Sequence, residues 1–254
     1  AIISTLVVIS MGLITFLVSY YVTKDTRANA ETTNFTLNSR TASDAENRIN
    51  SVVSNVSLFC DLFDDPSKSH EELVLDAAKF FDRNSEIAAI GFLSRDKIFT
   101  NTAFFVTKDI STELVKAYID SEAEAIDQAK NGVVCVENAS PFFMNPVISI
   151  FYPIVIGSDT EIVVAIFSSE KLSESISTGR INETFLVNDK GIVLIHPDSS
   201  VMMQAGDLSD NKFVAMVIGN NSSGMQQSYV DADDEEYFAA CQKISTGNCR
   251  VITQ

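Results

Sequence analysis

The sequence predicts an α+β fold: an N-terminal transmembrane helix, a long helix, and then two tandem modules, each built on an antiparallel sheet. Three observations lead to this fold class. The stretch Ile2 to Val22 carries no charge, the stretch Thr26 to Phe63 has neither proline nor glycine, and the strand-like runs that follow fall into two groups. The predicted boundaries are residues 1–23 for the anchor, 24–65 for the long helix, 66–169 for the first module, 170–183 for a connector and 184–254 for the second module.

The uncharged stretch is long enough to cross a bilayer. Its 21 residues would rise about 30 Å as a helix, which matches the thickness of a hydrocarbon core. A cleaved signal peptide is the alternative, but no small-residue cleavage site follows, and Tyr20 and Tyr21 fit an interfacial aromatic belt. We therefore expect a membrane anchor with an exported domain behind it. The chain begins without methionine and stops at Gln254, so we also expect it to be part of a longer protein.

Composition excludes several classes of function. Acidic residues outnumber basic ones by 34 to 18, and the formal net charge of −16 repels phosphate backbones, which excludes nucleic-acid binding. Four cysteines show neither a CxxC pair nor a cysteine–histidine metal spacing, so we expect buried free thiols. They are Cys60, Cys135, Cys241 and Cys249. An apolar content of 46% is enough for one or two hydrophobic cores.

A heptad-like seam runs along the predicted long helix. Its members follow one another at alternating steps of four and three residues. They are Ala28, Thr32, Phe35, Ser39, Ala42, Glu46, Ile49, Val53, Val56, Cys60 and Phe63. The seam is strong from Ile49 onward, where it should pack on the chain's own modules, and weak before it, where we expect a weak homodimer contact. Asp64-Asp65-Pro66 should end the helix, because proline disfavours helical backbone in the residue before it.

Strand and helix patterns fill the two modules. The first should contain a helix beginning at Ser69-His70-Glu71-Glu72, strands Glu86–Leu93 and Lys97–Asn101, an amphipathic helix Asp109–Lys130, and strands Val133–Asn138, Val147–Ile156 and Glu161–Ser168. After a helical connector Glu170–Ser177, the second should contain strands Phe185–Asn188, Ile192–His196, Gly224–Val230, Tyr237–Ile244 and Cys249–Thr253. The second module thus repeats the plan of the first as a structural repeat.

Two segments resemble the double Cache sensor domains of bacterial transmembrane receptors, in which a long helix leads into two stacked PAS-like modules. The first segment is Asn138-Ala139-Ser140-Pro141 with the strand from Pro146 to Ile154. The second runs from Phe185 to Asp198 and contains a glycine turn and a histidine–proline pair. The resemblance covers Thr26 to Gln254. It implies a cell inner-membrane protein whose residues after about 24 are periplasmic.

The resemblance also implies a ligand site in the membrane-distal first module, between its sheet and the covering helix. Amino-acid-binding members carry Arg-x-Trp-Tyr on that helix, Tyr-x-Asp on the next strand, and an aspartate at the end of the last strand. At the matching positions this chain has Glu113–Tyr118 without Arg-x-Trp, Val136-Glu137-Asn138, and Phe167. Two carboxylates that would hold an α-ammonium group are thereby replaced.

The implied ligand is therefore a small neutral or anionic compound and not a typical amino acid, in a pocket without fixed negative charge. Lys116 or Arg95 would be its counterion. The candidate ligand-binding residues are Tyr118, Asn138, Ser140, Phe167 and Asn101.

No catalytic constellation, phosphate loop or cofactor motif is present in the sequence, so we expect neither enzyme activity nor a cofactor. His196 with Asp198, and the acidic run Asp231–Glu236, are weak as metal sites, and structural and solvated roles are expected for them. We predict the non-catalytic sensor region of a signalling receptor, with a cytoplasmic output domain that is a nucleotide cyclase, ahead of a chemotaxis domain or a histidine kinase. An anchored hydrolase and an adhesion or scaffold domain without ligand are the alternatives.

Overall fold

A single helix forms the spine of the structure. The computed structural model describes residues 2–63, 68–156, 159–176, 183–220, 222–230 and 236–254. Helix α1 runs from Ile2 to Phe63 without interruption, so the predicted anchor and the predicted long helix are continuous. The predicted stop at Asp64-Asp65-Pro66, residues 177–182 of the connector, and residues 231–235 of the acidic run lie outside the described residues.

Helix α1 is exposed from Ile9 to Ala30. Ten large apolar side chains between Ile9 and Val22 are exposed. Within the described residues, no helix is long and apolar enough to cross a membrane. The predicted anchor at residues 1–23 is therefore not confirmed.

The first sheet has five antiparallel strands in the order β2-β1-β5-β4-β3. In chain order, the elements of this half are α2 (His70–Arg83), β1 (Ile87–Phe92), β2 (Lys97–Thr100), α3 (Thr102–Lys108), α4 (Thr112–Ser121), α5 (Ala123–Lys130), β3 (Cys135–Asn138), α6 (Ser140–Phe143), β4 (Val147–Ile156) and β5 (Asp159–Ser168). A capping box between Ser69 and Glu72 begins α2, which satisfies backbone donors that the helix itself leaves free.

Two short helices, α4 and α5, replace the single helix predicted at Asp109–Lys130, and a further helix, α3, precedes them. Asp109 has a left-handed backbone, φ 53°, and ends α3, while the non-helical backbone of Glu122 separates α4 from α5. Helices α3 and α6 have only seven and four residues. Segments this short show too few turns for a helical period to stand out in the sequence.

The second sheet repeats the strand order of the first. Its elements are α7 (Glu170–Ile176), β6 (Thr184–Val187), β7 (Val193–Ile195), α8 (Ser199–Met203), α9 (Lys212–Ile218), β8 (Gly224–Val230), β9 (Glu236–Lys243) and β10 (Arg250–Thr253). The strands lie in the order β7-β6-β10-β9-β8, which matches β2-β1-β5-β4-β3 position by position. The predicted α+β class and the predicted structural repeat are confirmed.

One hydrophobic cluster joins α1 to both sheets, and a second lies on the other face of the first sheet under α3, α4 and α5. Phe59 of α1 is completely buried, and its ring centroid lies 4.6 Å from that of Phe80 and 5.4 Å from that of Phe99. The strong part of the predicted seam therefore packs on the chain's own first sheet.

Nearer the N-terminus of α1, Asn34 and Asn38 contact the second sheet through hydrogen bonds. Asn38 donates hydrogen bonds to Val251 O and Thr253 Oγ1, both at 3.0 Å, and Asn34 donates to Phe238 O at 3.3 Å. Asn34 and Asn38 lie one residue before the seam members Phe35 and Ser39, which are half-buried. The weak homodimer stays a prediction.

All four cysteines are free and buried, as predicted. Burial raises the pKa of the Cys60 thiol to about 12 and that of Cys135 to about 11. These thiols are therefore protonated and unreactive in the folded protein.

Ile49 is fully buried between α1 and the sheets, which makes it a test of the spine. Replacing Ile49 by Asp removes apolar packing and buries a carboxylate. We expect the free energy of unfolding to fall by at least about 3 kcal/mol. Chemical denaturation monitored by circular dichroism measures this, and Ser51→Asp, on the exposed side of α1, is the matched control. Equal midpoints for the two variants would contradict the packing described.

Candidate functional site

The helix-covered face of the first sheet is closed by an aromatic cluster. Tyr118 of α4 is 1% exposed, and its ring centroid lies 5.2 Å from Phe143, 5.3 Å from Phe142 and 6.4 Å from Phe151. Phe143 and Phe151 are buried as well. These side chains fill the layer between sheet and helices where the family resemblance implied a ligand.

Polar groups lie at the floor of this cluster. The Tyr118 hydroxyl is 2.5 Å from the Ser149 hydroxyl, which in turn donates to Glu137 O at 3.5 Å. Burial raises the pKa of Tyr118 well above its ordinary value, so the phenol stays neutral. Burial likewise raises the pKa of the Glu122 and Glu137 carboxyls, and both groups act electrostatically on Tyr118.

The structure therefore places two carboxyl groups near Tyr118 that the predicted set of site residues did not include. Alternation along β3 explains why Glu137 lies on this side. Cys135 packs in the helix-side cluster and Val136 in the α1-side cluster, so Glu137 belongs to the helix side. The motif comparison had placed Asn138 in the site, one residue further along, and a shift of one residue exchanges the two faces of a strand.

Two of the predicted residues take part in other contacts. Asn138 donates from Nδ2 to Val193 O and Met202 O in the second half of the chain, each at 2.7 Å. Phe167 is buried in the α1-side cluster, on the opposite face of the sheet from Tyr118. The structure therefore does not bring Phe167 and Tyr118 into one pocket.

Ser140 and Asn101 stabilise local backbone. Ser140 is fully buried and both donates to and accepts from the backbone of Val147. Asn101 is 4% exposed, accepts from Phe104 N as the cap of α3, and donates to Ile87 O at 3.1 Å.

The two predicted counterions are already paired. Lys116 Nζ lies 3.0 Å from Asp96 Oδ1, and Arg95 Nε lies 3.6 Å from Glu161 Oε2.

Asn101 is the predicted residue that borders open space. A groove of about 700 Å³ lies between α2, β2 and α3. Its lining is mainly apolar and includes Val74, Ala77, Ala78, Phe81, Ile98, Phe99 and Val106. This volume falls within the range of small-molecule pockets. Sequence reasoning missed the groove because it missed α3, which forms one wall.

A smaller, polar groove of about 360 Å³ adjoins the first, and both contain Phe81, Asn101 and Ala103. Two ion pairs lie along it. Lys108 Nζ is 2.8 Å from Glu170 Oε1, and Lys171 Nζ is 2.6 Å from Glu86 Oε2. The two grooves together form an apolar trough with a polar end that holds these two ion pairs, and Asp82, which belongs to neither pair, lines both grooves.

Metal binding receives no support from the geometry. Among the described residues, no group of three or more histidine, cysteine, aspartate or glutamate side chains could hold a metal ion. His196 and Asp198 are joined locally, since His196 Nδ1 accepts a hydrogen bond from Asp198 N at 3.0 Å.

The fold defines a class: one long helix that carries two five-stranded antiparallel sheets of the same strand order. No protein-family model and no curated protein sequence matches this chain. Solved structures do match it. The chain is similar to the extracellular domain of soHK1S-Z6, described as a histidine kinase, with 16% identity and a TM-score of 0.61 over 92% of this chain and 96% of that one.

Two chemoreceptor domains are similar as well. The ligand-binding domain of the Pseudomonas aeruginosa PAO1 amino acid chemoreceptor PctC, in complex with GABA, matches with 14% identity and a TM-score of 0.60 over 88% of this chain and 98% of that one. The sensory domain of the Campylobacter jejuni chemoreceptor Tlp3, with isoleucine bound, matches with 12% identity and a TM-score of 0.58 over 91% and 94%. The chain has the fold of these extracellular sensor domains, and the predicted double Cache fold is confirmed.

The half-buried Glu137 gives a pH-dependent prediction. Since burial raises its pKa in the folded state, the folded protein binds this proton more tightly than the unfolded chain does. The ionised carboxylate therefore costs stability, and the cost grows as pH rises from the unfolded value of about 4.3 through the raised folded value. We expect Glu137→Gln to raise the Tm at pH 7.5 by about 2–4 °C, with a smaller difference near pH 4.

Thermal melts between pH 4 and 8 measure this difference, and Glu113→Gln, on the exposed side of α4, controls for the loss of one charge. A lower Tm for Glu137→Gln at pH 7.5 would show that the attraction of Lys190 outweighs the cost of burial.

Proposed function

We propose that this chain is the non-catalytic, ligand-binding input region of a membrane signalling receptor. The observation that carries the proposal is the extent of the structural likeness. It spans about nine tenths of this chain and of the sensor domains it matches. On the same ground we propose one unit for residues 66–169, one for residues 184–254, and a connector at 170–183.

The trough beside Asn101 is the ligand site in this proposal. Ligand pockets are for the most part formed before the ligand arrives, and the trough is open while the layer around Tyr118 is filled. Its apolar walls suit a compact apolar body. Its polar end has both lysines paired with glutamates, so it suits a neutral polar group better than a free charge.

The proposed ligand is therefore a small neutral compound with an apolar body, and not a typical amino acid. An α-carboxylate would have to break one of these ion pairs before a lysine could bind it there. The amino acids named for the chemoreceptor structures belong to those proteins. For this chain, an amino-acid ligand is an outcome that the screen below can return.

A contact between aromatic rings connects the trough to helix α1. Phe81 lines both grooves and belongs to α2, and its ring centroid lies 5.9 Å from that of Phe59 in α1. A ligand that favours one position of α2 would favour one packing of α1, which is a population shift between existing arrangements. In this proposal α1 passes the change through the membrane to a cytoplasmic output domain, a nucleotide cyclase ahead of a chemotaxis domain or a histidine kinase.

A thermal-shift screen tests the ligand site. The 254-residue chain in mild detergent is melted with panels of amino acids, carboxylates, sugars and nucleobases. A neutral, partly apolar compound should stabilise it by about 2.7 kcal/mol at a hundredfold excess over Kd. Ala103→Trp should abolish the shift, since Ala103 is exposed and lines both grooves.

Ala123→Trp is the matched control, because it adds the same ring to another exposed alanine, at the start of α5. A shift that survives Ala103→Trp would move the ligand site away from the trough. A protein that no panel stabilises would favour an adhesion or scaffold role. A zwitterionic amino acid that stabilises the wild type but not Ala103→Trp would keep the site and overturn the ligand class.

The membrane anchor is proposed for residues 1–23, in a cell inner membrane with the later residues periplasmic. The exposed apolar side chains from Ile9 to Val22 support it, because a surface of this kind needs a cover. We expect the chain to float with liposomes in a density gradient, and Leu13→Arg with Leu17→Arg to leave it in the soluble fraction. Co-flotation of the double variant would argue against insertion of this segment.

A further inference from the structure

The two sheets meet at their edges through a small set of side-chain contacts. Strand β3 is an outer strand of the first sheet and β7 is an outer strand of the second. Edge strands offer unpaired backbone groups, and here side chains from β3 satisfy some of them in place of a strand ladder. Asn138 Nδ2 donates to Val193 O in β7 and to Met202 O in α8, each at 2.7 Å.

Glu137 makes the second set of contacts. Its Oε2 accepts a hydrogen bond from Asn188 Nδ2 at 2.9 Å, and its Oε1 lies 3.5 Å from Lys190 Nζ. Lys190 Nζ also lies 3.1 Å from Glu124 Oε2 of α5. Asn188 and Lys190 belong to the turn between β6 and β7, so the first half of the chain contacts this hairpin at its turn.

Asn188 contacts Glu137 and also stabilises the turn of the β6–β7 hairpin. Its Oδ1 accepts hydrogen bonds from Lys190 N at 3.0 Å and Ile192 N at 2.9 Å, while its Nδ2 reaches Glu137. Gly191 in the same turn has φ +87°, a conformation that side chains disfavour. The side-chain amide of Asn188 therefore both stabilises the turn and donates a hydrogen bond to Glu137.

We propose that β3 is a latch: Glu137 and Asn138 hold the β6–β7 hairpin against the first sheet, and their release lets the second sheet move relative to the first without unfolding either sheet. The polar contacts are few and made by side chains, so they can break one by one, while Val136 of β3 also packs against Gly247 of the second half. The common spine α1 packs on both sheets and keeps the two halves together when the latch is open.

The latch is also connected to the interior of the first half. The backbone oxygen of Glu137 accepts from Ser149, and the Ser149 hydroxyl pairs with Tyr118. A displacement of α4 would therefore reach the residue that holds the hairpin. This inference does not depend on the ligand trough, which lies at the other edge of the first sheet.

A single-atom change tests the latch. Asn138→Asp keeps an oxygen for Ser140 N but places a carboxylate oxygen where the amide nitrogen faced two carbonyls. Hydrogen exchange by mass spectrometry on the full chain in detergent should show amides of residues 184–195 exchanging about tenfold faster or more. Exchange in β1 and β5 should stay at the wild-type rate.

Asn145→Asp is the matched control. Asn145 also donates to two carbonyls, Lys108 O and Phe143 O, but it lies within the first half of the chain. Its variant should leave residues 184–195 at the wild-type rate. If both variants speed exchange in the hairpin, or if Asn138→Asp speeds exchange equally in β1 and β5, the contacts are ordinary structural support and the latch is refuted.

Lys190→Met keeps the proposal testable if Asn138→Asp does not fold. Lys190 is 36% exposed, so the substitution should be tolerated. Exchange at residues 188–193 should rise about two- to fivefold at low salt, which is the range for a partly exposed ion pair. Raising the salt from 0.05 to 0.5 M should speed this exchange in the wild type but not in Lys190→Met. If amide exchange in the β6–β7 hairpin changes neither with Lys190→Met nor with salt, the contribution of the ion pairs to the latch is refuted.

Discussion

Burial of one side of α1 is the constraint on which the rest of the structure depends. Its side chains share a single hydrophobic cluster with both sheets, so neither sheet has a complete core without the helix. Phe59 is the centre of the first half, in contact with rings from α2, β1 and β2. Because one continuous helix serves both halves, a shift of α1 against one sheet changes its position against the other.

The character of this packing changes along α1. From Ile49 to Phe59 the fully buried side chains are apolar, whereas Asn34 and Asn38 meet the second sheet through hydrogen bonds. Asn38 is fully buried, yet its Oδ1 has no hydrogen-bond partner among the described residues. An unsatisfied buried acceptor costs stability, and this cost falls on the contact between α1 and the second sheet.

The sequence predicted the elements that have a long or regular hydrophobic pattern. It did not predict features in which a single residue determines the end of a helix or the face of a strand. The seam of α1, the strands and the repeated plan follow from periodicity, and tertiary packing preserves them. The split helix around Glu122 and the short α3 depend on single backbone conformations that leave no period. The candidate site failed for a related reason: Phe167 and Asn138 each lie one position from a residue that faces Tyr118, and motif alignment at this distance does not fix strand register.

The two edges of the first sheet carry different chemistry, and this difference organises the molecule. At the β2 edge, α2 and α3 stand apart and leave an apolar trough. At the β3 edge, the side chains of Glu137 and Asn138 form hydrogen bonds and an ion pair with the second half of the chain. The ten-residue strands β4 and β5 lie between these edges and pair with each other from Val147↔Ser168 to Ile156↔Asp159. Because α1 covers one face of this sheet and β3 contacts the second half, a shift of the sheet would change both contacts. A sheet placed in this way can act on the spine and on the second sheet together.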